Sequence, residues 1–135
     1  MQRKKVLWID DDTDFLEAVS QMPSEYDFLC FKSFDEFEQW ADREGRKILG
    51  SKQIVAAFLD FLLESNVKHH VTTTSSELEI PKLLREVFSF KSPIFMCSNY
   101  DLDDDDYCKK FVSGKIRKKL LSTQEIRALI ESTKL

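Results

Sequence analysis

Four apolar runs of strand length recur along this chain, each separated from the next by a polar stretch long enough to hold a helix: KVLWI (5–9), YDFLCF (26–31), IVAAFLD (54–60) and PIFMCS (93–98). They do not alternate polar with apolar residues, so strands built from them must be covered on both faces. The intervening segments can supply that cover. DTDFLEAVSQM sets Phe15, Leu16 and Val19 at helical spacing, with Pro23 just beyond. SFDEFEQWADR opens on a Ser33–Glu36 capping box and carries Phe34, Phe37 and Trp40 on one stripe. Ser76 and Glu79 form another capping box, but Pro81 fits only the first turn of a helix, which is therefore expected from about residue 80 to Phe88. KIRKK (115–119) reads as a fifth strand at an edge, and a Ser122–Glu125 box starts a last helix with Ile126, Leu129 and Ile130 inward. Strands alternating with helices predict an α/β fold, a doubly wound five-stranded parallel sheet with helices on both faces.

With 135 residues, and only three Pro and three Gly, the chain has no stretch suited to a linker. One domain is expected over 1–135, with its core at about 4–133. The net charge of −4 argues against direct nucleic-acid binding, and the basic strip from Lys109 to Lys119 reads as solvated surface. Cys30, Cys97 and Cys108 share no metal-ligand spacing and suit a reducing compartment. No signal sequence and no membrane span are found, so a cytoplasmic protein is expected.

In a parallel sheet with helices on both faces, functional groups gather beyond the carboxyl ends of the strands. Those ends carry Asp10, Asp11 and Asp12 after the first strand, Asp60 after the third, Ser98 after the fourth and a lysine after the fifth. Carboxylates so placed cannot all ionise without a counter-charge. A hard cation such as Mg²⁺ answers that need, and a hydroxyl and an ammonium opposite it suit the remaining oxygens of a phosphoryl group. Carboxylates are also covalent phosphoryl acceptors.

This constellation resembles the receiver domain of two-component response regulators, of the stand-alone chemotaxis type, over nearly the whole chain. The matching residues are VLWI-Asp10-Asp11, AAFL-Asp60, PIFMC-Ser98 and KIRK-Lys119. The resemblance implies a flavodoxin-like sheet of order 2-1-3-4-5. It also implies Mg²⁺ held by Asp10, Asp11, Asp60 and the main-chain carbonyl of Leu62, with Asp10 acting mostly through water. Asp60 would accept a phosphoryl group from a histidine kinase or a histidine phosphotransfer protein. Ser98 and Lys119 would grip that group and so switch binding of a downstream target protein. The chemistry would be self-catalysed transfer to Asp60 and slow autodephosphorylation, not conventional enzyme turnover. Lys119 is preferred over Lys115 because a capped helix is expected about three residues after the lysine, and Ser122 stands there. Asp12 is read as a helix cap or dipole partner outside the chemistry.

The chain departs from the family pattern in several places. Glu64 stands where a Pro-Gly turn is usual, Asn99 and Tyr100 follow the hydroxyl where a small residue is usual, and Ile116 replaces the switch aromatic. These departures keep open a degenerate receiver that binds partners without phosphate. A third reading, a small Mg²⁺-dependent phosphatase of the haloacid-dehalogenase type, fits the Asp10–Asp12 spacing but finds Asp14 where Thr or Val should follow. An EF-hand on Asp10, Asp12 and Asp14 fails, with Phe15 at its sixth position and Gln21 at its twelfth. The run Asp103 to Asp106 and the pair His69 and His70 read as solvated loop.

Overall fold

A computed structural model describes residues 4–49, 52–60, 73–98 and 112–133, with the backbone alone for 44, 46 and 73–79. The strands are β1 (Lys5–Ile9), β2 (Asp27–Phe31), β3 (Ile54–Asp60), β4 (Ile94–Ser98) and β5 (Gly114–Arg117). All pair in parallel, in the order β2-β1-β3-β4-β5. Among the described residues the helices are α1 (Thr13–Gln21), α2 (Phe34–Trp40), α3 (Arg46–Leu49), α4 (Thr73–Glu86) and α5 (Thr123–Ser132), and a π-type segment, Ala41–Gly45, joins α2 to α3.

Because neighbouring strand residues point to opposite faces, each apolar run feeds two cores. Val6 and Trp8 of β1, Ala56 and Phe58 of β3, and Phe95 and Cys97 of β4 are buried with Leu16 and Val19 of α1 and Ile126 of α5. The residues between them, Leu7, Ile9, Ala57, Leu59, Ile94 and Met96, are buried with Phe34 and Phe37 of α2 and with Ile80 and Leu84 of α4. The sequence expectation of helices on both faces follows directly from these two clusters.

Helix starts obey the capping chemistry in two cases and depart from it in a third. Ser122 and Glu125 exchange both bonds of a capping box at α5. At α2 the Ser33 hydroxyl accepts from the Glu36 amide, while the Glu36 carboxylate takes the amide of Lys32 instead of that of Ser33. The helix α4 corrects the expected start near residue 80, because it begins at Thr73 and holds Ser76 and Pro81 in its interior. An interior proline removes one helical hydrogen bond and costs about 3 kcal/mol in an isolated helix. Here the buried positions Ile80, Leu84 and Phe88 anchor the segment to the core and offset that loss.

Gly45 shows why the turn after α2 has the residue it has. A Cβ there would meet the Trp40 ring at 2.5 Å, and that ring packs at 5.3 Å from Phe31 and 5.9 Å from Phe37. Trp40 cannot retreat without disturbing both. Gly45→Val is expected to destabilise by about 1–3 kcal/mol, the usual range for overpacking. Urea denaturation would show it as a lower midpoint at unchanged slope.

Candidate functional site

The site is built from what stands at the carboxyl ends of β1 and β3. Asp10 follows β1 and is fully buried, Asp11 is exposed, and Asp60 closes β3 half-buried. One carboxylate oxygen from each of the three lies within 4.8 Å of the others. The parallel register explains the meeting: Ile9 pairs with Leu59, so the residues that follow both reach the same edge. Ser98 ends β4 as a buried residue, one position beyond Cys97, the register partner of Asp60.

Asp12 does not join the cluster. Its side chain accepts from the Phe15 amide at 3.1 Å and caps α1, the cap role expected for it. Its own amide donates to Asp10 Oδ1 at 2.9 Å. That bond turns the buried carboxylate toward the sheet edge and fixes the start of α1 at the same time.

The lysine is a correction. The ammonium that enters the site belongs to Lys118, not Lys119. Lys118 Nζ lies 3.1 Å from Asp10 Oδ1, 3.0 Å from Oδ2 and 3.7 Å from Asp12 Oδ2, and its side chain is 9% exposed. It also sits 4.9 Å from the centroid of the Phe15 ring, within cation–π range. Lys119 is 58% exposed and pairs with Glu125 at 2.6 Å, and Lys115 is exposed. The physical reason is strand parity. Half-buried Ile116 packs against the cluster around Trp8, and the residue two positions on shares its face. Lys118 continues that alternation, its amide donating to the Ser98 carbonyl at 2.8 Å. At constant spacing the correction also moves the expected switch aromatic from Ile116 to Lys115, and neither has a ring.

The electrostatics follow from burial. Desolvation raises the Asp10 carboxyl above its ordinary value, while the Asp12 amide and the Lys118 ammonium pull it back and Asp11 adds repulsion. For Lys118, burial opposes the charge, but the hydrogen bond and charge of Asp10, with help from Asp60 and Asp12, leave it above the ordinary lysine value. Burial pushes the Cys97 thiol well up, with Asp10 and Asp60 adding to the shift, so it stands beside the site as an inert hydrophobe.

The donor set fits a hard divalent cation. All three candidate donors are carboxylate oxygens. Mg²⁺ typically takes one or two carboxylates directly, so two of the three suffice, with the third acting through water and the remaining positions left to waters and phosphate. Asp10 Oδ2 is buried and, among the described residues, accepts no aligned hydrogen bond and is answered by the Lys118 charge. The Leu62 carbonyl expected as a further ligand lies outside the described residues, as do Glu64, His69, His70, Asn99, Tyr100 and the acidic run 103–106.

No protein-family model matches the sequence, and no curated protein matches it. Solved structures do match. A response regulator receiver domain protein from Clostridium thermocellum aligns with a TM-score of 0.61 at 14% identity, over 96% of this chain and 93% of that one. A receiver protein from Pseudoalteromonas atlantica gives 0.62 at 14% identity, over 96% and 99%. The Thermotoga maritima response regulator TrrA, solved in complex with Mg²⁺-BeF, gives 0.60 at 15% identity, over 97% and 99%. With the strand order β2-β1-β3-β4-β5 on the page as well, the chain has the fold of the response regulator receiver domains.

Proposed function

We propose that this chain is a phospho-accepting receiver of a two-component or phosphorelay system, a single domain with Asp60 as the acceptor. One observation carries the proposal: three carboxylates from two strand ends meet within 4.8 Å, at the edge where a largely covered lysine, Lys118, also arrives. In the transfer, a carboxylate oxygen of Asp60 attacks the phosphorus of a phosphohistidine on a histidine kinase or phosphotransfer protein. The P–N bond breaks, its electron pair leaves with the imidazole, and an acyl phosphate forms on Asp60. Asp10, Asp11 and Asp60 would hold Mg²⁺, which when bound neutralises charge on the phosphoryl oxygens. Lys118 and the Ser98 hydroxyl are the groups of this chain suited to receive the new phosphoryl oxygens. Moving Lys118 off Asp10 would loosen β5 and the start of α5, a change that a downstream protein could read. No helix among the described residues is long and apolar enough to cross a membrane.

The test is incubation with acetyl phosphate and Mg²⁺, read by intact mass. Wild type is expected to gain one phosphoryl group, and Asp60→Asn to gain none. Absence of uptake from acetyl phosphate and from phosphorylated kinases alike would overturn the proposal. It would favour the binding-only module, which the lack of a ring at both Ile116 and Lys115 already suits. Release of phosphate from unrelated monoesters would point to the phosphatase reading instead.

A further inference from the structure

At the opposite pole of the sheet, below the amino ends of the strands, lies a cleft of about 680 Å³. Lys4, Lys52, Arg85 and Lys91 line it, and no described lining residue is acidic. In a chain of net charge −4, four cations around one cavity concentrate positive potential where the rest of the molecule has an acidic excess. The wall is a built structure. The Arg85 guanidinium donates to the carbonyls of Phe90 at 2.9 Å and Ser92 at 2.7 Å, and Ser92 Oγ donates to the Ile54 carbonyl at 2.6 Å. Together these bonds tie the end of α4 to the start of β3.

Ser89 follows α4 with φ of 57°, the left-handed conformation on which helices commonly end, and the Phe90 amide just beyond it donates to the Leu84 carbonyl at 2.8 Å. The Ser89 side chain adds a hydroxyl to the cleft lining. The floor carries apolar surface from Val55, Pro93 and Ile130. The volume lies within the range of small-molecule sites and is concave, unlike the extended basic stripe that nucleic acid requires.

We propose that this cleft binds a small organic phosphate, its anionic group against Lys52, Lys91 and Lys4 and its organic body on Val55, Pro93 and Ile130. It would make the chain responsive to a soluble ligand at a pole remote from Asp60. The site does not depend on phosphorylation, so the test uses Asp60→Asn protein, in which the acidic site is silenced.

Amide resonances would be followed during titration with AMP and phenyl phosphate, with adenosine and inorganic phosphate as controls. Saturable shifts centred on Lys52, Ser92 and Ser113 are expected for the two organic phosphates. Lys52→Glu/Lys91→Glu should weaken binding at least tenfold, and Lys52→Gln/Lys91→Gln by less. Both lysines are exposed, so the thermal midpoint should stay near that of the parent and certify the fold. Three outcomes would overturn the proposal: no saturation at millimolar ligand, affinity unchanged by charge reversal, or inorganic phosphate binding as tightly as phenyl phosphate.

Discussion

Lys118→Met is expected to destabilise the protein by about 3 kcal/mol at neutral pH, whereas Lys119→Met should leave stability nearly unchanged. Breaking a buried pair by removing one partner typically costs about 3–5 kcal/mol, because the remaining charge stays desolvated. Asp10 is fully buried, and without Lys118 the Asp12 amide is what would stabilise its charge among the described residues, with Asp11 repelling it. The methionine retains the apolar stem over Phe15, so the loss reports the charge. Asp10 can limit that loss by taking up a proton, and this fixes the sign of the pH dependence. In the variant its folded pKa lies further above the unfolded value, so the folded state holds the extra proton and stability falls as pH rises through that window. Wild type should show a smaller Asp10 limb of the same sign, since its carboxyl is already raised, and a second limb at high pH. The Lys118 pKa is raised above 10.5, so its contribution is complete below that value and disappears as pH climbs through the folded one. Urea midpoints of wild type, Lys118→Met and Asp10→Asn/Lys118→Met from pH 5 to 11 would measure both limbs. The double variant, with no buried charge to strand, should recover most of the loss. Equal midpoints for Lys118→Met and Lys119→Met would refute the assignment of the site lysine to Lys118.

The sequence was legible where burial is two-sided and ambiguous where it is not. KVLWI and IVAAFLD mark β1 and β3 to the residue, because every position in a strand covered on both faces must be apolar until the chain reaches the edge. The same rule places Asp10, Asp11 and Asp60 at one end of the sheet. At β5 the rule fails, since an edge strand buries only alternate residues and GKIR offers a single apolar anchor, Ile116. Counting back from the Ser122 cap selects Lys119, but caps fix where a helix begins and say nothing about which face of a preceding strand a side chain takes. Parity from Ile116 was the available signal, and it selects Lys118. Pro81 misled in a similar way. Local propensity places it in a first turn, and the core contacts of Ile80 and Leu84 override that preference.

Trp8→Ala is expected to remove about 3–5 kcal/mol, enough to unfold a large fraction of a marginally stable domain. The register aligns Trp8 with Phe58, and Phe58 with Phe95, so three rings stand side by side on one face of β1, β3 and β4. Trp8 and Phe58 stack with centroids 4.6 Å apart, Phe58 and Phe95 at 5.3 Å, and Phe15 and Phe28 meet Trp8 edge-on at 5.6 and 6.4 Å. Truncation at this point removes one member of every pair it makes and leaves a cavity that the rigid sheet cannot close. Phe15 would lose its edge contact, and with it a support of the Lys118 ammonium, so damage in the core should reach the acidic site. Trp8→Phe separates the two effects. It shortens the ring but also removes the indole Nε1–H, which is buried without a hydrogen-bond partner among the described residues. A stranded donor costs about 1–3 kcal/mol, close to what the smaller ring forfeits in packing, so Trp8→Phe should lie within about 1 kcal/mol of wild type. Chemical denaturation of the two variants, followed by far-ultraviolet circular dichroism because the fluorophore itself is changed, would decide the matter. A Trp8→Phe loss as large as that of Trp8→Ala would mean that the indole N–H has a partner after all.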